Sequence, residues 1–185
     1  MLLLTKSIPL VGLLATASLA AVTGLRSRQT EPSSFNLYAY GGEAIAGFPV
    51  FYADGIAYTG DSTALTGVDE VTDVNLTAST DGVWTATPVS DVSWTSKTFY
   101  ISNSTGEIGF TDAGNSSSNI ITKSFSFYGN FALLRANGKM SASWNAKETD
   151  TDNVWTLSWG DADDDGSLIP LMLRNKAPVQ PPAGA

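Results

Sequence analysis

From residue 35 onward apolar side chains recur at every second position, and the alternation is cut at short intervals by Asp54-Gly55, Asp81-Gly82, Ser104-Thr105-Gly106 and Asn137-Gly138. A period of two puts successive side chains on opposite faces of an extended strand, and no long stretch carries a helical period. Tight hairpin turns need positive φ, which Gly takes without steric cost and Asn or Asp tolerate. The pattern therefore predicts strand pairs 50–53 with 56–59, 74–78 with 83–87, 99–102 with 107–110, and 131–135 with 139–144. The expected fold is all-β: a hairpin-rich single domain. Three frames start near Val50, Thr98 and Phe131 and continue, after a polar loop, into strands at 74–78, 124–128 and 154–160. Three such units suit a β-trefoil, and a two-sheet β-sandwich explains the same hairpins.

The ends read differently. Lys6 is the only charge in the first 25 residues; an apolar run over 8–15 follows, and then small residues around Ala17, Ser18 and Ala20. That is the three-part pattern of a signal peptide, with cleavage expected after Ala20. Gly12, Thr16, Ser18 and Thr23 break the run, which falls short of the ~20 apolar residues of a membrane anchor. The expected organisation is a signal peptide at 1–20, a short pro-segment or disordered linker at 21–34, the β domain at 35–176, and a Pro-rich disordered tail at 177–185. A second processing point after Arg28 is compatible with the sequence. The expected location is secreted, extracellular or associated with a cell wall, with no membrane attachment once the leader is removed.

Charge and missing residue types narrow the chemistry. The net charge is −8, so nucleic acid, which needs clustered Lys and Arg, is not an expected partner. The chain is read as a monomer. It has no Cys and no His. Small exported domains often rely on disulfides, and this one must rely on its core instead. Without His or Cys, Ser-His-Asp and Cys-His catalysis and imidazole-ligated zinc are excluded.

Several residues are candidates for a site. Asn75, Asn103 and Asn115 each stand two residues before Ser or Thr, the acceptor pattern for N-glycosylation in an exported chain. Asp161, Asp163 and Asp165 alternate before Gly166, as hard oxygen ligands do in calcium loops. Met172 stands where an EF-hand needs Glu, so the competing reading is a solvated acidic turn; calcium is the one cofactor considered. A second acidic loop at 148–152 should lie at the far end of the strand 154–160.

Five Trp invite a sugar-stacking reading. Trp155, Leu157 and Trp159 share one strand face, as do Met140, Ala142 and Trp144, and clean alternation with Ser and Thr marks both sets as core. Trp84, directly after a turn, and Trp94, in a polar stretch, are the candidate ligand-binding surface aromatics. Carboxylate-pair glycosidase chemistry needs two acids flanking one bond. Glu43, Glu70, Glu107 and Glu148 are scattered singly, so the sequence provides no catalytic residues.

The segments FNLYAYG (35–41), FPVFYADGIAY (48–58) and TFYISNSTGEIGF (98–110) resemble small secreted proteins of filamentous ascomycete fungi. The layout is loosely similar to the fungal cell-wall protein linked to phialide development. The resemblance covers 35 to about 175 and assigns no functional residue; it implies a fungal source and a place at the wall or outside the cell. The expectation is a non-enzymatic secreted glycoprotein that binds cell-wall polysaccharide or an extracellular protein. The alternatives are a carboxylate-dependent glycan hydrolase or lyase and a host-directed effector or inhibitor.

Overall fold

The computed structural model describes residues 34–42, 44–115, 117–161 and 166–179. The leader, the processing point at Arg28, Glu43, Asp163, Asp165 and the last six residues of the tail lie outside the described residues.

The described chain contains no helix and forms β1 (Tyr38–Gly41), β2 (Ile45–Ala53), β3 (Ile56–Gly60), β4 (Val71–Ala78), β5 (Trp84–Pro88), β6 (Lys97–Ser102), β7 (Ile108–Thr111), β8 (Ile120–Ile121), β9 (Phe125–Tyr128), β10 (Phe131–Ala136), β11 (Lys139–Ser141), β12 (Trp144–Glu148), β13 (Val154–Trp159) and β14 (Leu168–Arg174). Turn chemistry places the hairpins. Asp54 and Gly55 take φ 46° and 90°, and Asn137 and Gly138 take 51° and 74°, the left-handed pair that matches the twist of two antiparallel strands.

All pairings are antiparallel, and the ladder runs β1-β2-β4-β5-β6-β7-β3-β13-β12-β14 before β14 returns to β1 through Tyr38 and Arg174. Ten strands thus close into a barrel, with β8, β9, β10 and β11 attached outside the ring. Closure removes the free edges that two open sheets would leave. The all-β, hairpin-rich single domain expected from the sequence forms, and its subtype is this closed ring. The three frames are not equivalent within it: β2–β3 and β6–β7 belong to the ring, whereas β10–β11 projects from it.

That projection corrects one expectation. Met140 is 50 % exposed and Ala142 is exposed, although both were placed with Trp144 on a core face. The strand stops after Ser141 and resumes at Trp144, so only Trp144 points into the barrel.

Trp84 sits at the centre of the core, ringed by Phe35, Phe99, Phe125 and Phe127 at centroid distances of 5.2, 5.7, 5.1 and 5.0 Å. Trp144, Trp155 and Leu157 belong to the same buried cluster, Trp144 meeting Phe99 at 6.5 Å between ring centroids. Buried polar groups fix strand positions. The Thr59 hydroxyl donates to the carbonyls of Phe48 and Pro49. Asn145 donates to Gly160 O at 2.9 Å. The Thr72 hydroxyl accepts from Ser90 N at 3.1 Å. Each is a group that would cost free energy if buried without its partner.

Candidate binding surface

Strand alternation on β1, β14, β10 and β9 sends Ala39, Leu173, Ala132, Leu134, Phe125 and Phe127 into the core. It leaves Tyr38, Tyr40, Met172, Arg174, Phe131 and Tyr128 on the outer face. Register then aligns them: Tyr38 pairs Arg174, Arg174 pairs Phe131, and Phe131 pairs Tyr128. Three strand spacings of ~4.8 Å make this row ~14 Å long. Tyr128 is 70 % exposed, Met172 50 % and Phe131 37 %.

The Arg174 guanidinium carbon lies 5.1 Å from the ring centroids of both Tyr40 and Phe131, so the planar cation bridges two aromatic side chains and holds them in place. Tyr40 is fixed again by its hydroxyl, which donates to Lys176 O at 2.9 Å. Asn175 N donates to Asn130 O at 3.0 Å and anchors the segment that leaves β14. Rings held as Tyr40 and Phe131 are lose little entropy when a flat ligand settles on them.

The sequence-predicted residues fall elsewhere. Trp84 is fully buried, which corrects its assignment as a surface aromatic: the ring closes over it and Phe rings occupy its surroundings. Trp94 is half-buried against Tyr52, at 4.8 Å between centroids, with Lys97 Nζ 5.8 Å from its ring. The indole N–H groups of both are shielded and without a hydrogen-bond partner among the described residues. Asn75, Asn103 and Asn115 are all exposed. Asp161 is exposed at the end of β13, and among the described residues no three His, Cys, Asp or Glu gather as a metal site. The acidic loop at 148–152 follows β12 and so stands at the other end of β13 from Asp161.

Two acids that the sequence leaves apart do meet. Asp54 and Glu107 line one cleft of about 350 Å³ with Tyr100. The Asp54 oxygens accept the backbone N–H groups of Asp69 and Glu70 at 3.0 and 2.8 Å, which employs both in holding the loop before β4. Glu107 Oε1 accepts the Tyr100 hydroxyl at 2.9 Å.

Sequence reasoning missed Tyr38, Tyr40, Phe131, Tyr128 and Arg174. The available signal was the alternation in 125–128 and 131–135, which sets Tyr128 and Phe131 opposite to the core residues Phe127 and Ala132; only the pairing of distant strands turns them into a row. No family model, curated protein or solved structure matches the chain.

Proposed function

We propose that the chain is a non-enzymatic, exported and glycosylated binding module that takes polysaccharide on the outer face of β1, β14, β10 and β9. The observation that carries this reading is the row Tyr38, Arg174, Phe131, Tyr128. Aromatic faces offer large apolar contact with a polar handle, and here Arg174 orders Phe131 of the row and Tyr40 beside it. The leader pattern, the three exposed sequon asparagines and the fungal resemblance support a place at a cell wall or outside the cell.

Affinity electrophoresis of the mature protein through gels containing β-glucan, glycol chitin, mannan or polygalacturonate tests it. Retardation by at least one polymer, lost in Y128A/F131A, is the expected result. Unretarded migration in all four gels, or retardation unaffected by the double substitution, would remove the proposal.

The cleft with Asp54 and Glu107 favours a second reading, a carboxylate-dependent glycan hydrolase or lyase. Release of reducing ends or unsaturated products from these polymers, abolished by E107Q, is the result that would establish it; no cleavage by the parent protein would end it.

A further inference from the structure

Four residues beyond Phe131, about 13 Å along β10, the same outer face reaches Arg135. Two cavities meet there. One, of about 420 Å³, lies between the β4–β5 turn and the start of β9 and is lined by Asp81, Ser126 and Arg135. The other, of about 610 Å³, is walled by Ile120, Ile121 and Leu134, carries Lys123, and includes the sequon residue Asn115 in its lining, so a ligand there requires Asn115 to be without a glycan. Ser124 and Arg135 line both.

Backbone hydrogen bonds tie the junction together. Ser124 has φ 72°, a left-handed conformation uncommon outside Gly. Its N–H donates to Asp81 O at 3.1 Å and its carbonyl accepts from Arg135 N at 2.9 Å. On β9 the Ser126 hydroxyl oxygen is shielded from solvent and has no hydrogen-bond partner among the described residues.

Charge sets the class of ligand. The 610 Å³ cavity has two cationic side chains in its lining, Lys123 and Arg135, and no acid. Neither forms an ion pair among the described residues, where the pair found is Lys97 with Asp112. A cationic hollow with apolar walls in a chain of net charge −8 concentrates an anion against the overall field. Asp81 lines only the smaller cavity.

We propose that this junction reads the carboxylate of an acidic polysaccharide, a uronate residue in a chain whose sugar rings further along lie on Phe131 and Tyr128. The Arg135 guanidinium supplies two parallel N–H donors matched to a carboxylate, and Lys123 adds a second positive charge. This rests on the polysaccharide reading above and adds to it the chemical class of the ligand.

The test uses polygalacturonate and alginate, each beside its methyl ester, titrated against the parent protein, R135A, R135K, K123A and Y128A/F131A. The parent should prefer the acid form of at least one polymer by about tenfold, and R135A should erase that preference while leaving ester binding within about twofold. R135K should recover only part, and added salt should narrow the preference. Ester binding with acid binding that R135A leaves unchanged overturns this inference alone. Absence of binding to every form, together with unretarded migration in the neutral polymers, overturns the aromatic-row reading with it. Arg135 is exposed, so an unchanged melting temperature should accompany its replacement.

Discussion

The Tyr100 hydroxyl donates to Glu107 Oε1 at 2.9 Å across the β6–β7 hairpin, and this contact ties stability to alkaline pH. Burial first, then the hydrogen bond and the charge of Glu107, push the phenol up to about 12 from 10.0. Burial also raises Tyr52 and Tyr58. Below pH ~10 the contribution is complete. Between ~10 and ~12 the unfolded chain releases a proton that the folded chain retains, so stability falls as pH rises. Urea midpoints should decline over that interval, and Y100F should decline less. Parallel curves for the two proteins would contradict the assignment.

On the acid side the sign reverses. Hydrogen bonds from Ser93 hold Glu70 below its ordinary value, hydrogen bonds from Thr63 do so for Asp61, and Lys97 lowers Asp112 through a hydrogen bond and its charge. These contributions are present above the ordinary carboxylate range and are lost as pH falls through the lowered values. Asp61 and Asp112 are exposed and Glu70 is half-buried with its Oε1 accepting from Ser93 N, so the drop should be shallow. E70Q should flatten it further in melting curves recorded from pH ~5 to ~3.

Replacement of Trp84 by Ala should cost about 3–5 kcal/mol, the range for emptying a large aromatic site in a packed core. W84F should cost less because it restores part of the ring contact with Phe35 and Phe127. Equilibrium urea unfolding measures both. If Trp84 instead faced solvent, W84A would leave the midpoint near the parent value.

Gly82 offers a sharper comparison. It has φ 72°, and a Cβ there would collide with the carbonyl oxygen of Phe125. Gly138 has nearly the same φ, 74°, yet nothing lies within 4 Å of the site a Cβ would take. G138A should therefore show only the conformational cost of about 1–2 kcal/mol, and G82A substantially more. Equal losses would mean that the β4–β5 turn does not press on β9.

The contrast between Gly138 and Gly82 also shows how far the sequence is legible. Asn137-Gly138 and Asp54-Gly55 declare their turns locally, because positive φ is a property of the residues themselves. The neighbour of Gly82, Phe125, comes from a strand more than 40 positions away in a chain of 185, and no local pattern names it. Trp84 was misjudged for the same reason. Its position after a turn says nothing about the four Phe rings that distant segments bring to it. In β4 the alternation is local and sufficient, with Asn75 exposed between buried Val74 and Leu76. The aromatic row is a composite of four strands, and each contributes one or two residues that look unremarkable in their own segment. Asp54 and Glu107 met for the same reason, through the docking of β3 on β7 at Ile56 and Gly109.

Among the described residues, the strand that closes the barrel is the last in sequence order. β14 pairs with β1, β12 and β10, and each of those partners waits with an open edge until residues 168–174 arrive. Order of synthesis and order of closure therefore coincide: a chain stopped short of Leu168 cannot seal its ring and presents three edges to any neighbour. Such a protein is vulnerable for as long as residues 168–174 are still to come, and truncation before Leu168 should yield self-association instead of a smaller folded domain.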